Sequence, residues 1–250
     1  IYLLKSCRFK LFSEKLVSQR RNTDGKLQQK ISYIAENELI LSEIKQLNAN
    51  ISQALKKLPA IRKQVDNLSI STKDALGFYT NLNAQLLSVA TLNAEISSNA
   101  EVTKDTVAYY NFLQGKERAG IERAVMSNTF SADTFSAGMF VKFISLVTQQ
   151  STYFDNFKQF ATSDNSQYFT STLNHASIKE VARLRSIAKN KSNNFEVNGE
   201  YWFDQSTQRI GQLKNIEDQL SQSLLMLAET KKSSAFSSMI IKIITTCILI

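Results

Sequence analysis

Chain breakers are scarce in this sequence: there is one proline, Pro59, and only seven glycines in 250 residues. The turn dipeptides that separate many short strands are therefore nearly absent, which argues against a sandwich or barrel and for long helices. Cysteine is equally sparse. Cys7 and Cys247 stand at opposite ends, neither beside a histidine or a second cysteine, so neither a metal site nor a redox motif is indicated. His175 is the sole histidine; it cannot by itself form a metal site or a catalytic triad, and it is read as an exposed residue of a polar helix. Serine and threonine are abundant without a base beside them, and no glycine-rich phosphate loop follows a strand, so nucleophilic and nucleotide chemistry have no support. The expectation is a protein that is not an enzyme and carries no cofactor and no metal.

With 43% hydrophobic residues the chain can bury a substantial core. Its net charge of +8 would point to nucleic acid if it were clustered on one face. Instead the first 30 residues hold eight basic side chains (Lys5, Arg8, Lys10, Lys15, Arg20, Arg21, Lys26, Lys30) against Glu14 and Asp24, a net +6, and the remainder is close to neutral. No zinc-finger, RNP or helix-turn-helix signature is present and the aromatics fall at helical spacings, so nucleic acid is not expected as a partner.

Apolar residues between Phe12 and Leu58 fall at Leu16, Ile31, Ile34, Leu41, Ile44, Ile51, Leu55 and Leu58, partly in heptad register, which predicts one long amphipathic helix. Pro59 should end it or start a short helix to about Leu68. Ser69 to Asp74 resembles a capping box, opening a helix to about Ser97 with a stripe of Leu76, Tyr79, Leu82, Leu86, Val89 and Leu92. Further helices are expected over roughly 101–130, 136–161, 166–191 and from 199 onward, with a loop at Asn190–Asn194. Long helices joined by short connections are the pattern of antiparallel bundles. Trp202, between Tyr201 and Phe203, is read as packing at a helix start.

The run Met239–Ile250 is apolar apart from Lys242 and a threonine pair, and it is read as the front of a membrane span, although a full span needs roughly 20 apolar residues. A first methionine only at Met126 and an abrupt start at Ile1 suggest a fragment. Residues 1–234 are then expected to be a sensor domain with a truncated N-terminal helix, and 235–250 the start of a transmembrane helix.

The most unusual segment is Gln114–Ala124, with Gly115 and Gly120 inside a predicted helix. Each costs about 1 kcal/mol relative to alanine, so close approach of a helix or a ligand should offset it. Arg118 and Glu122, four residues apart, are placed to pair, whereas Arg123 points about 140° away from Arg118. Two readings are open: a solvated, charge-paired face, or an arginine held against a neighbouring helix where its planar fork binds a planar oxyanion bidentately.

These residues resemble the nitrate- and nitrite-sensing domain of bacterial receptors and regulators. Gln19-Arg20-Arg21-Asn22-Thr23-Asp24, Leu58-Pro59 with Arg62 and Val65, Phe78–Leu87, Lys116-Glu117-Arg118-Ala119-Gly120 with Glu122-Arg123-Ala124, and Tyr201-Trp202-Phe203 with Thr207, Arg209 and Ile210 are similar to the family's motifs in order, from about Phe9 to about Leu227. The family's upstream Glu-Arg-Gly element is not found. The resemblance implies an all-α fold of two stacked antiparallel four-helix bundles sharing long helices, with nitrate or nitrite held by arginines between helices. It makes Arg118 the leading ligand and Arg209 the second, with Arg123 and Gln114 supporting, and gives Glu117 and Glu122 the task of orienting arginines. Combined with the apolar tail, it implies the periplasmic sensor of a homodimeric, inner-membrane receptor of the chemotaxis type, passing a helix shift across the membrane to a cytoplasmic signalling module beyond Ile250. The rival is a helical dimerisation spacer of a membrane protein with no ligand, which would carry exposed, mutually paired arginines.

Overall fold

The structure, a computed structural model, describes residues 42–249, and the side chains of 45–240 other than 72, 93 and 96. The expectations for the chain before residue 42, including the Arg20–Asp24 element, lie outside the described residues. Seven helices follow in order: α1 (Ser42–Asp66), α2 (Thr72–Ile96), α3 (Ala100–Ala132), α4 (Met139–Phe160), α5 (Ser163–Thr172), α6 (Ala176–Asn190) and α7 (Gly199–Leu249). Among the described residues there is no strand, only an isolated bridge between Thr134 and Asn193. The protein is all-α, and its described residues divide into two compact units, 42–89 with 198–200 and 90–197 with 201–249.

The first unit departs from expectation at Pro59, which neither ends nor begins a helix: α1 runs through it to Asp66. A proline inside a helix loses one backbone hydrogen bond and crowds the preceding turn, yet α1 continues past it, with Ile51 and Leu58 buried on its N-terminal side. The helix ends at Asp66, and Leu68 just beyond it is left-handed at φ 56°, where the Ser69 N–H donates to Gln64 O at 2.9 Å and the Leu68 N–H to Val65 O at 3.1 Å. This is the paired closure of a Schellman motif, adopted without its usual glycine. At the start of α2, Ser71 Oγ accepts from the Asp74 N–H at 3.1 Å and donates to Asp74 Oδ2 at 2.6 Å, so the predicted cap is formed by Ser71.

In the second unit, Asn99 opens α3 by accepting from the N–H groups of Glu101 and Val102. Asp133 closes it in the left-handed region and its carboxylate accepts from the Phe195 N–H at 2.8 Å, tying the loop before α7 to the end of α3. Gly138, at φ 77°, supplies the turn into α4. The single helix expected over 166–191 is two, because Ser171 and Thr172 turn their hydroxyls back onto Tyr168 O, competing with helix continuation. His175 is exposed, as expected, and caps α6 by accepting from the Ser177 N–H.

Two aromatic layers form the core of this unit. In one, Phe112, Phe154, Phe157 and Phe169 meet with ring centroids 5.2–6.2 Å apart, against Leu213, Ile216 and Leu220 of α7. In the other, Phe130 and Phe195 pack on each other and on Trp202 and Phe135, and Phe135 stacks on Phe143. Trp202 is fully buried and donates to Arg123 O at 3.1 Å, which confirms its packing role. Buried positions on α4 step by seven as Phe143, Gln150, Phe157, and on α7 as Trp202, Arg209, Ile216. A polar layer thus lies between the aromatic ones.

Among the described residues no helix is long and apolar enough to cross a membrane, so the span expected from the sequence is not seen there. α7 continues to Leu249, passing through Lys231, Lys232, four serines between 233 and 238, and Lys242.

Gly115 is required by packing, since a Cβ there would lie 2.6 Å from Phe154 Cε1, whereas a Cβ at Gly120 would meet nothing within 4 Å. Gly115→Ala should therefore cost about 1 to 3 kcal/mol through overpacking of the phenylalanine layer. Gly120→Ala should raise stability by about 0.4 to 1 kcal/mol. Denaturant melts of the two variants check the opposite signs.

Candidate functional site

The polar layer brings together one side chain from each of four helices: Glu122 of α3, Gln150 of α4, Arg185 of α6 and Arg209 of α7. Glu122 is 1% exposed. Its carboxylate accepts from Arg185 through two parallel bonds, Nε to Oε1 at 2.6 Å and Nη2 to Oε2 at 2.5 Å, the bidentate geometry that gives arginine–carboxylate pairs their directionality. The same Oε2 also accepts from Arg209 Nη1 at 3.4 Å and from Gln150 Nε2 at 2.9 Å. The Gln150 carbonyl oxygen in turn accepts from Arg185 at 2.8 Å and Arg209 at 2.7 Å.

Two guanidinium groups share one carboxylate, so the layer carries a net charge of +1. Burial opposes ionisation of Glu122 most strongly, yet the charge and hydrogen bonds of Arg185, then Arg209 and Gln150, outweigh it and hold the carboxyl below its ordinary value. For Arg209, burial and the like charge of Arg185 dominate over the attraction of Glu122, pulling the guanidinium down to about 9. It keeps its proton at neutral pH, and the shift reflects how little one carboxylate compensates two buried cations.

The four residues singled out by sequence are not gathered at one point. Arg118 sits half-buried one turn before Glu122 on α3, but the two do not pair, contrary to expectation, because Arg185 and Arg209 occupy the Glu122 carboxylate. Arg118 turns to α4: Nη1 donates to Gln114 Oε1, Nε to Gln149 Oε1 at 3.2 Å, and the guanidinium lies 4.8 Å from the Tyr153 ring centroid. Arg123 turns to α7, donating to Thr207 Oγ1 at 2.9 Å and lying 4.8 Å from the Phe203 ring centroid; burial lowers its pKa. No carboxylate among the described residues pairs with Arg118 or Arg123. Arg209 belongs to the polar layer. Glu122 does orient arginines, as expected, though not the one predicted.

Sequence reading missed Arg185 and Gln150. Arg183 and Arg185 flank the fully buried Leu184, about 200° apart on the helix; Arg183 makes a surface pair with Glu180 and Arg185 turns inward. The signal for Gln150 was its place in the seven-residue step from Phe143 to Phe157. Among the described residues no group of three or more His, Cys, Asp or Glu is arranged to hold a metal.

The sequence model of the nitrate and nitrite sensing family matches residues 2–225. The chain belongs to that family. It is similar to the nitrate regulatory protein of Klebsiella oxytoca, 30% identical over 178 residues that make up 70% of this chain and 44% of the relative. The structure of the NasR transcription antiterminator superposes with a TM-score of 0.82 at 24% identity, over 89% of this chain and 61% of that one. The chain thus spans less than half the length of the regulatory protein it matches. Both relatives are named as regulators, and neither as a chemotaxis receptor. With no described helix able to cross a membrane, the expected periplasmic sensor of an inner-membrane, chemotaxis-type receptor, with its signalling module across the membrane, is corrected to a sensing-family member related to regulatory proteins. The expected exclusion of nucleic acid is withdrawn with it, since one of the two matches is titled a transcription antiterminator.

Glu122 contributes stability that is present above its unfolded value of about 4.5 and lost as pH falls through its lowered folded value. Glu122→Gln should cost about 3 kcal/mol at neutral pH, because it leaves two buried guanidinium groups with no carboxylate. It should also flatten the acid limb of the stability curve below pH 4.5, which chemical denaturation at a series of pH values would show.

Proposed function

We propose that residues 1–234 are the nitrate- and nitrite-binding sensory domain of a regulatory protein, acting by binding and not by catalysis. The observation that carries this reading is Arg118, a half-buried guanidinium on α3 that stacks on Tyr153, contacts two glutamines and has no carboxylate partner among the described residues. Glutamine carbonyl contacts orient a guanidinium without neutralising it, which leaves its charge for an anion. Arg118 is accordingly the leading ligand, with Gln114 fixing its orientation. Arg209 acts from the adjacent polar layer by its charge. Arg123, equally without a carboxylate, is a second point of anion contact on the opposite side of α3.

Anion binding at Arg118 bears directly on α4, where Gln149 precedes the Gln150 that bonds both Arg185 and Arg209. A shift of α4 therefore reaches α6 and α7. The ligand moves such an equilibrium only by its differential affinity for the two states; at micromolar Kd it brings about 8 kcal/mol in total, and a coupling of about 1 to 3 kcal/mol lies within that. The names of the two relatives support gene expression as the regulated output. The ligand-free spacer reading calls for exposed, mutually paired arginines, and Arg118 and Arg123 are neither.

Calorimetric titration of the chain with nitrate and nitrite should show micromolar binding, and Arg118→Ala should weaken it by about tenfold or more while changing stability by less than about 1 kcal/mol. Arg118→Lys, which keeps the charge and loses the fork, should fall between the two. No heat with either anion from a folded protein overturns the reading. Undiminished binding by Arg118→Ala removes the site.

A further inference from the structure

An arginine fork does not by itself separate nitrate from sulfate, since either anion offers it two oxygens. Selectivity by charge must come from the surroundings of the site. We propose that Glu122 is a specificity-determining residue that makes the anion site favour monovalent over divalent oxyanions, an inference that rests on the anion-binding reading above.

Glu122 stands one helical turn from Arg118 on α3, and on α4 the partners of the two are neighbours: Gln149 meets Arg118 and Gln150 meets Glu122. Its carboxylate is fully occupied, bidentate to Arg185 and shared with Arg209 and Gln150. It therefore takes no part in holding a ligand and acts through its field. That field cancels one of the two guanidinium charges of the polar layer, leaving a single excess positive charge behind the site. Coulomb energy is proportional to ligand charge, so a negative charge fixed nearby disfavours a dianion twice as much as a monoanion. Because Glu122 is buried, salt screens this weakly. Had the layer carried glutamine in place of Glu122, its two uncompensated arginines would draw sulfate more strongly than nitrate.

Gln150 offers the mirror experiment, since it lies in the same layer, bonds the same arginines and differs from glutamate by one charge. The test is calorimetric titration of the full chain, wild type, Glu122→Gln and Gln150→Glu, with potassium nitrate and potassium sulfate at constant ionic strength, with melting curves to establish folding. Wild type should prefer nitrate. Glu122→Gln should move the ratio of nitrate to sulfate affinity toward sulfate by roughly tenfold, and Gln150→Glu should move it toward nitrate while lowering both affinities. Should Glu122→Gln fail to fold, Gln150→Glu still reads the same ratio with the opposite sign. Wild type binding sulfate as tightly as nitrate overturns the proposal without any variant, as does an unmoved or reversed ratio in a folded variant. Failure of wild type to bind nitrate or nitrite at all removes the functional reading, whereas nitrate binding with an unmoved ratio removes only the role of Glu122.

Discussion

The carboxylate of Glu122, shared between Arg185 and Arg209, is the interaction on which the second helical unit depends. It joins α3 to α6 and α7, and Gln150 closes the set from α4 by bonding the carboxylate and both guanidinium groups. Desolvating three charges is costly and the attraction between them offsets the cost only where geometry is good and remaining donors are satisfied. Here those conditions are met by the parallel bonds of Arg185 and by the glutamine amide, which donates with one end and accepts with the other. Aromatic layers on both sides keep water away and hold the partners in register.

Placing a polar layer between apolar ones has a mechanical consequence. Apolar contacts tolerate small slides of one helix past another, whereas a bidentate pair does not, so Glu122 fixes the register of α3, α6 and α7 in this layer, beside the bonds of Arg123 to Thr207 and of Trp202 to Arg123 O between α3 and α7. Arg118 lies one turn away, contacting α4 beside the pinned residue. On the proposed function, an anion arriving there would perturb buried polar contacts that reach α6 and α7 together, which suits a sensor whose response is a change in helix relationship.

Much of this was legible in the sequence. The low glycine and proline content and the heptad-like spacing gave the helical class, and the motif around Arg118 marked the candidate site. What misled was local geometry taken alone. Four-residue spacing places Arg118 and Glu122 within reach, but a carboxylate already held by two inward arginines has no reason to turn outward. Arg185 hid in an Arg-Leu-Arg run that resembles a solvated face until Leu184 is known to be buried. Pro59 marks a boundary by its intrinsic preference alone, yet α1 runs through it to Asp66.

The most direct test of the account is a crystal structure of the protein with nitrate bound. It should show a planar anion against Arg118 at the α3–α4 edge, with Glu122 still bidentate to Arg185 and Gln150 still bonded to Arg209. Nitrate seated away from Arg118, or a Glu122 carboxylate released from both arginines, would contradict it.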